Sequence, residues 1–205
     1  MNLDTVRRYY TICQTLMAMF LDRRYKVASS GFTMSFEDFF TMFMTEKRMF
    51  SFSVRKSNKD NIFVFFPQKV KTGVKELREI VQKMKDLEIQ HSLIVLKQKI
   101  TPFAANRLRS FPNIYIEQFE MKELLFNVTK HVLVPPQRLL SKTQAKAVIT
   151  KYRGKSSTMF NKIQRNDPIV RHLNARVGRI IEIKRSSPEG HNYLSYRVVV
   201  RTPSK

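Results

Sequence analysis

Residues 62–96 read IFVFFPQKVKTGVKELREIVQKMKDLEIQHSLIVL, and their pattern predicts the architecture of the first part of the chain. Residues 62–66 are continuously apolar, as expected of a strand that is covered on both faces. Apolar side chains then recur with helical spacing over residues 74–87, and residues 93–96 are apolar again. The order strand, helix, strand predicts a βαβ unit with two parallel strands and a right-handed crossover.

Further elements are predicted on both sides of this unit. An apolar stripe that repeats every three to four residues from Leu3 to Phe20 predicts an opening helix. The run Ser35-Phe36-Glu37-Asp38 resembles a capping box and predicts the start of a second helix. Residues 49–54 and 114–119 are predicted to be strands. The N-terminal part of the chain is therefore predicted to be an α/β domain.

Basic charge is the outlier in the composition, and it is placed unevenly. Lys and Arg number 38 against 16 Asp and Glu, which gives a net charge of +22. Residues 1–129 carry 21 basic and 13 acidic side chains, whereas residues 130–205 carry 17 and 3. The change falls near Val134-Pro135-Pro136, a run that disfavours helix and favours an extended link. We therefore predict two domains, over residues 1–132 and 133–205.

The second predicted domain is a small α+β module. Ser141 is a predicted helix cap, and the Asp167-Pro168 pair predicts the start of a short helix with proline at its favoured first position. Residues 180–185 and 193–200 are predicted strands joined by a turn-forming cluster. The module is therefore expected to end in a hairpin.

The charge excess predicts a polyanionic neighbour, which could be nucleic acid, an acidic protein or an anionic membrane. Because 42% of the residues are hydrophobic, we expect a packed core rather than a disordered basic tail. No run approaches the roughly 18 apolar residues of a spanning helix, and the N-terminus lacks a secretory signal, so we expect no spanning helix and no export. Of the three possible neighbours, the membrane is the one that we do not expect. The single cysteine, Cys13, lies in the apolar stripe of the opening helix, and we expect it to be packed there in a reducing compartment.

Motifs that would carry catalysis are missing from the sequence. There is no G-x-S-x-G nucleophile turn and no glycine-rich loop of the kind that cradles phosphate. The four histidines show neither a helical pair nor a spacing to cysteine that is typical of zinc sites. We therefore predict no catalytic residues, no metal and no cofactor.

One enzymatic alternative is a Mg²⁺-dependent nuclease of the restriction-endonuclease type. Such enzymes use an Asp, followed by a strand that bears a second carboxylate and, two residues later, a Lys. Here Asp167 precedes Glu182-Ile183-Lys184 on a predicted strand. A third carboxylate is hard to find, because residues 130–205 hold only three, and Asp167 has its own role as a helix start. We regard the nuclease as the weaker interpretation.

Basic residues cluster in the second predicted domain. Twelve Lys and Arg fall between residues 142 and 185, opposed only by Asp167 and Glu182. We favour a polyanionic partner for this cluster over a merely solvated surface, and docking on an acidic protein remains an alternative. The aromatic residues of the domain are few and far apart in sequence: Tyr152, Phe160, Tyr193 and Tyr196. Their spread argues against a binder of single-stranded nucleic acid.

A second candidate site is the loop after the strand at residues 93–96. In open α/β sheets, ligands bind at the carboxyl ends of the strands. Thr101 can cap the following helix and Pro102 can occupy its first position, so the helix N-terminus would offer free N–H groups to a phosphate. The loop and helix also carry four basic residues: Lys97, Lys99, Arg107 and Arg109. The alternative is an ordinary, well-capped helix.

Several runs in the second domain, in order, are similar to one known domain. They are HVLVP at 131–135, LS at 140–141, KY at 151–152, IQRNDP at 163–168, GRIIEIKRS at 178–186 and YRVVV at 196–200. This part of the chain resembles the C-terminal domain of the fifth subunit shared by eukaryotic nuclear RNA polymerases, a domain that archaeal polymerases also contain.

The first domain resembles the eukaryotic form of the same family, more loosely. The similar runs are DRRY at 22–25, FEDF at 36–39, MFSF at 49–52, GVK at 73–75 and ITP at 100–102. Where the family has Thr-Pro-Ser-Ala, this chain has Thr101-Pro102-Phe103-Ala104. The departure at Phe103 affects the expected fine contacts of this motif but leaves the capped-helix geometry in place.

The resemblance implies a non-catalytic subunit with two domains, present in one copy per polymerase complex. The α/β N-terminal domain would form part of the lower jaw near downstream duplex DNA, as a nuclease-like sheet with flanking helices and no active site. The small α+β C-terminal domain would pack on the largest subunit, beside neighbouring subunits, and support assembly. The residues expected to lie near DNA are Thr101, Pro102, Arg107 and Arg109. Those expected at the subunit interface are Arg165, Asp167, Pro168, Arg171, Lys184, Arg185, Tyr196 and Arg197.

Two departures from a typical family member suggest where such a subunit would work. Phe-Phe pairs such as Phe39-Phe40 and Phe65-Phe66 are unusual for a cellular copy, and so is the extra basic charge. Both indicate a diverged copy such as that of a large cytoplasmic DNA virus, located in host cytoplasm and virion. A cellular copy would be nuclear. The alternative from another class is a free-standing protein that binds duplex DNA.

Overall fold

The computed structural model describes residues 3–26, 34–45, 51–55, 61–67, 69, 72–111, 113–154, 156–186 and 191–202. The chain divides into two compact units, residues 1–126 and 127–205. The predicted division after residue 132 falls within the second of these units. The described helices include none with both the length and the apolar character that crossing a bilayer requires.

The first unit is an α/β domain, as predicted. Its elements in chain order are α1 (Leu3–Asp22), α2 (Phe36–Thr45), β1 (Ser51–Arg55), β2 (Asn61–Phe65), α3 (Val74–Asp86), β3 (His91–Leu96), α4 (Pro102–Arg109), β4 (Tyr115–Glu120) and α5 (Met121–Leu124). The described strands form a sheet in the order β1-β2-β3-β4. Strand β1 is antiparallel to β2, whereas β2, β3 and β4 run parallel. The predicted βαβ unit is therefore confirmed.

The apolar runs within β2 and β3, residues 62–65 and 93–96, lie between helices that cover both faces of the sheet. Val64 and Leu93 belong to a buried cluster with residues of α1 and α2. Their sequence neighbours Phe65 and Ile94 belong to a second cluster, with residues of α3 and α4. Successive strand residues thus enter opposite cores. Burial of each large apolar side chain contributes about 1.5–3 kcal/mol to folding.

Helix α1 supplies much of the first of these cores. Val6, Ile12 and Leu16 are completely buried, as the predicted stripe requires. Leu3, which begins the predicted stripe, is instead exposed, because it lies in the first turn of the helix. Cys13 is buried in the same cluster, so its predicted role as a packed apolar residue is confirmed.

The second unit is an α+β module, as predicted. Its elements are a 3₁₀ turn (Val128–Lys130), β5 (Gln137–Leu139), α6 (Lys142–Lys151), a second 3₁₀ turn (Ser157–Met159), β6 (Asn161–Gln164), α7 (Pro168–His172), β7 (Ile180–Ser186) and β8 (Asn192–Val200). Its described strands lie in the order β5-β7-β8-β6. Strands β7 and β8 pair antiparallel, which confirms the hairpin, and β6 lies parallel to β8.

Caps at the two predicted helix starts of this unit are confirmed. The Ser141 hydroxyl accepts the N–H of Gln144 at 3.1 Å, and the Gln144 side chain accepts the N–H of Ser141 at 3.0 Å. Asp167 Oδ1 accepts the N–H of Ile169 at 2.9 Å, and Pro168 follows at the first helical position. Both caps satisfy donors that a helix N-terminus leaves unpaired.

Candidate nucleic-acid and subunit interfaces

Helix α4 begins as the sequence predicts. The Thr101 hydroxyl accepts the N–H of Ala104 at 3.3 Å, the Thr101 carbonyl accepts the N–H of Ala105 at 2.9 Å, and Pro102 occupies the first turn. The cap fixes where the helix leaves the loop after β3, at the carboxyl edge of the parallel strands. The replacement of the family's serine by Phe103 leaves this geometry intact.

Two residues of α4 hold the helix on the sheet and so determine which residues face outward. Ala104 is completely buried, and Leu108, one turn later, packs against the same cluster. Thr101, Pro102 and Arg107 are consequently exposed. Arg109 is the last residue of α4, and its side chain lies outside the described part of the structure.

The exposure of Phe103 is the feature of this surface that the sequence did not predict, although the sequence already marks Phe103 as a departure from the family motif. Its side chain is 72% exposed, which is unusual for an aromatic residue. Its position in the sequence could have indicated this exposure. Phe103 lies in the first turn of α4, directly before Ala104, where the buried face of the helix begins. Among the predicted loop lysines, Lys99 places its Nζ 3.6 Å from Oε1 of Glu120. This ion pair partly neutralises the charge of Lys99. The exposed surface of α4 therefore combines an aromatic ring with the Arg107 cation.

The predicted subunit-interface residues in the hairpin lie on two faces of the sheet. Glu182 pairs with Tyr196, so Tyr196 shares a face with Glu182 and with Lys184, two residues further on. Ile181 pairs with Arg197, so Arg197 and Arg185 share the opposite face with the buried Ile181. No single flat surface can include all four.

The other predicted interface residues surround α7. Arg165 and Pro168 are exposed. Asp167 is used as the helix cap, and Arg171 is half-buried on the helix itself. Arg165 and Pro168 are therefore the members of this group most accessible to a partner.

Three aromatic rings that are distant in sequence meet in the second unit. Ring centroids of Tyr152, Phe160 and Tyr196 lie 5.6–6.0 Å apart, with two of the three contacts edge-to-face. The inference that the aromatic residues of this domain are too widely spread to act together was therefore wrong for these three. Strand β8 brings Tyr196 alongside β6, and so close to Phe160, a contact that sequence spacing does not reveal. Tyr193, three residues before Tyr196, lies on the other face of the strand.

The geometry of the acidic residues argues against the nuclease alternative. The Glu182 carboxylate accepts a hydrogen bond from Arg138, on the neighbouring strand β5. Burial, followed by the nearby Glu182 charge, raises the pKa of the Tyr196 phenol, which lies opposite. Asp167 is occupied as a cap. Among the described residues, no three His, Cys, Asp or Glu side chains are grouped so that they could share a metal ion.

A tight turn in the second unit exposes two apolar side chains. Val132 is 97% exposed and Leu133 is 85% exposed. The turn is ordered by His131, whose Nδ1 accepts the N–H of Leu133 at 3.2 Å and whose carbonyl accepts the N–H of Val134 at 2.9 Å. An ordered turn that presents apolar side chains to water is typical of a protein contact.

A buried ionic network in the first unit was also missed. Arg23 donates to both carboxylate oxygens of Glu117, at 2.9 and 2.8 Å, and His91 Nε2 lies 2.7 Å from Oε1. Burial raises the pKa of Glu117, but the hydrogen bond of His91 and the charge of Arg23 outweigh it, so the pKa is lowered. Its signal was an acidic residue in the middle of a predicted strand.

Comparison with known proteins supports the resemblance over both units. The family described as RNA polymerase Rpb5, N-terminal domain, matches residues 4–84, and RNA polymerase Rpb5, C-terminal domain, matches residues 126–199. The chain is 34% identical to the Dictyostelium discoideum protein "DNA-directed RNA polymerases I, II, and III subunit rpabc1", over 97% of this chain and 100% of the relative.

Two further relatives match over almost their whole length. A Caenorhabditis elegans protein of the corresponding name, subunit RPABC1, is 30% identical over 94% of this chain and 96% of the relative. The Arabidopsis thaliana "DNA-directed RNA polymerase subunit 5-like protein 1" is 28% identical over 96% and 98%. Together with the two domain matches, these similarities show that the chain belongs to the Rpb5 family of RNA polymerase subunits, which are non-catalytic.

Proposed function

We propose that this chain is a structural subunit of a DNA-dependent RNA polymerase, with its first unit in the lower jaw near downstream duplex DNA. Its second unit would anchor it on the largest subunit, beside neighbouring subunits. The observation that carries this proposal is that both family domains occur in order and that relatives match end to end. The first unit would then be a nuclease-like sheet with flanking helices that serves as a scaffold.

The surface of α4 supports a position near DNA. Its capped N-terminus exposes Thr101 and Pro102, and Arg107 follows on the exposed side of the helix. A helix N-terminus and an arginine are both suited to a phosphate backbone, which contacts of this kind position without reading sequence. Arg109, whose side chain is not described, is proposed as a further DNA-proximal residue.

The charge and the exposed turn of the second unit support anchoring on a protein. Of the acidic residues in 130–205, Asp167 caps a helix and Glu182 is bonded to Arg138, so little negative charge remains to offset 17 basic side chains. Val132 and Leu133 add an apolar contact area. A basic surface with an apolar turn fits an acidic subunit surface that has an apolar pocket.

Co-purification tests the proposal directly. A tagged full-length chain, expressed in its natural context, should bring down the two large polymerase subunits, with one copy of this chain per complex. The double variant V132S/L133S should reduce their recovery, whereas Leu87→Ser should not, because Leu87 is an exposed apolar residue of the first unit that the proposal does not use. A wild-type chain that recovers no large polymerase subunit contradicts the proposal.

The alternative is a free-standing duplex-DNA-binding protein, favoured by the net charge of +22. Such a protein would bind duplex DNA tightly on its own, and its affinity would fall steeply with salt because each phosphate contact releases counterions. A jaw subunit makes few DNA contacts of its own, since the complex positions them. Weak binding by the isolated chain, together with recovery of the polymerase, favours the subunit.

We further propose that the chain is a viral copy that works in host cytoplasm and is packaged in the virion. The support is its 16 phenylalanines and its basic charge, whereas the relatives named above are cellular. Several of the phenylalanines, including Phe39 and Phe65, are buried in the cores of the first unit. Immunolocalisation tests this proposal: a signal confined to the nucleus would instead indicate a cellular copy.

A further inference from the structure

A groove of about 460 Å³ lies between α3 and α4 on the outer surface of the first unit. Helix α3 contributes Arg78, Gln82 and Lys85, which are four and three residues apart and therefore form one stripe. Helix α4 and the residue after it contribute Arg107 and Ser110. The groove is thus lined from both sides by donors of hydrogen bonds.

The three cations of this groove have no partner among the described residues. Neither Arg78, Lys85 nor Arg107 takes part in a side-chain hydrogen bond or ion pair, and the groove lining contains no acidic side chain. Asp86 accepts a hydrogen bond from Gln82 at 2.8 Å and is not part of the lining. Cations grouped in this way repel one another, and a bound anion relieves that repulsion.

The groove also has an apolar part, which belongs to two packed helices. Val81 is buried beside Arg78 and Gln82 on α3, and Phe111 follows Ser110 at the end of α4. Both helices are held on the same buried cluster, through Met84 of α3 and Ala104 of α4. The groove is therefore built on two packed helices rather than on a loop.

We infer that this groove binds the phosphodiester backbone of duplex DNA, which extends the DNA-facing surface from α4 onto α3. The inference rests on the proposed function. Arg107 belongs to both surfaces, and Phe103 lies one turn before it on the exposed side of α4. A strand that passes Phe103 and Arg107 would continue into the groove and meet Arg78 and Lys85.

A nucleic-acid backbone fits this groove better than an acidic polypeptide does. Arg78 and Arg107 offer fork-shaped donors that match a phosphate, and Gln82 can add the second N–H of its amide, since it gives only the first to Asp86. The Ser110 hydroxyl already donates to the Arg107 carbonyl, at 2.7 Å. The groove is also open and larger than a single phosphate group needs, which suits a continuous backbone that enters and leaves. Recognition by its phosphates makes the expected binding independent of sequence.

The test is a titration of the isotope-labelled full-length chain with a short mixed-sequence DNA duplex, followed by NMR. We expect the duplex to shift amide signals of residues 78–85 and 107–111. In binding measurements over a range of salt concentrations, R78Q/K85Q should lower the slope of log affinity against log salt by about 1.8, because two phosphate contacts are lost. R78K/K85R, which keeps both charges, should keep the slope.

The matched control is K75Q/K83Q, which removes the same charge from exposed positions of α3 outside the groove. It should leave the slope close to that of the wild type. Equal loss in the two double-Gln variants overturns the inference, because the effect would then be one of net charge. Polyglutamate that displaces the duplex from these residues at equal charge also overturns it, in favour of an acidic protein partner.

Two further arms separate this inference from the proposed function and from a free anion. In the first arm, inorganic phosphate alone is titrated. If it saturates the same amide shifts at a lower concentration of phosphate groups than the duplex needs, the groove is a site for free phosphate, and the assignment to a DNA backbone is overturned. R78Q/K85Q should still co-purify with the large polymerase subunits. If the wild type recovers the polymerase but the groove fails the salt test, only the groove inference is lost. If the wild type recovers no polymerase, the proposed function fails.

Discussion

Glu117 ties β4 to the residue that follows α1, because Arg23, 94 residues earlier in the chain, donates to both of its carboxylate oxygens. The side chains of both residues are almost completely buried. A buried pair of this kind costs desolvation of two charges and recovers it through close, two-point geometry. The relationship links the opening helix to a strand near the end of the first unit, and so acts on its whole fold.

Removing one member of this pair should destabilise the first unit strongly. We expect Glu117→Gln or Arg23→Met to lower the free energy of unfolding by about 3–5 kcal/mol, because the other partner stays buried without its counter-charge. The double variant R23M/E117L should cost less than the sum of the two single changes. Urea unfolding, followed by NMR signals of each unit, measures this, with the second unit as an internal control. Additive losses would contradict the coupling.

The same carboxylate predicts how stability depends on pH. The pKa of Glu117 is lowered on folding, so its contribution is present above the ordinary pKa of a glutamate and is lost as pH falls through the folded value. We expect the first unit to lose stability in the acid range, and Glu117→Gln to flatten that loss. The wild type and the Gln variant both keep His91 and Arg23, the two residues that face the carboxylate. A difference between their acid profiles therefore reports on Glu117. Identical acid profiles for wild type and variant would contradict the prediction.

The cap of α4 should be worth a measurable amount of stability. Thr101→Ala removes the hydroxyl that accepts the Ala104 N–H, and we expect it to cost about 1 kcal/mol of unfolding free energy. Thr101→Ser keeps the oxygen and should recover most of the loss. Hydrogen exchange at the Ala104 amide provides a local measurement, since that N–H loses its only described side-chain acceptor. Unchanged exchange in the alanine variant would show that the cap is not formed.

Phe103 should matter for contacts rather than for folding. Its ring is 72% exposed, so Phe103→Ser should change the free energy of unfolding by no more than about 0.5 kcal/mol. In the assembled polymerase, the same change should alter photocrosslinking between α4 and downstream DNA if α4 faces the duplex as proposed. Leu87→Ser is the matched control, because Leu87 is an exposed apolar residue at the end of α3. A large loss of stability would mean that the ring packs.

The sequence was sufficient where a local pattern determines the structure. Continuous apolar strands at Ile62 and Leu93 with a helix between them can be buried only if helices cover both faces, and this predicted the parallel pair. Caps such as Thr101 and Asp167 are local as well, because the accepting oxygen and the donating N–H lie within three residues. Strands β5 and β6 were not predicted, because they are short and carry polar residues. They form strands by pairing with the hairpin, β5 with β7 and β6 with β8.

Contacts between distant residues could not be predicted in this way. Nothing near Glu117 in the sequence identifies Arg23 as its partner, and only the sheet and α1 together bring them within hydrogen-bonding distance. Tyr196 meets Phe160 for the same reason, through the pairing of β8 with β6, and Tyr152, which follows α6, contacts both rings. The groove cations were each visible as basic residues, but their grouping depends on how α3 packs beside α4.

Cys13 gives a chemical probe of the opening helix. Burial raises the pKa of its thiol to about 12, so at pH 8 almost none of it is the reactive thiolate. We expect the folded chain to resist alkylation by iodoacetamide and to become labelled in proportion to the fraction of molecules in which α1 is open, because alkylation is slow relative to reclosing. Because Cys13 is the only cysteine, the site of labelling is unambiguous.

The positive control is C13A/S110C, which moves the thiol to an exposed position and should label quickly without denaturant. The free energy of opening, obtained from labelling over a range of urea concentrations, should fall in Glu117→Gln, because the buried ion pair holds the end of α1. Labelling of Cys13 as fast as that of the exposed cysteine would contradict its place in the core.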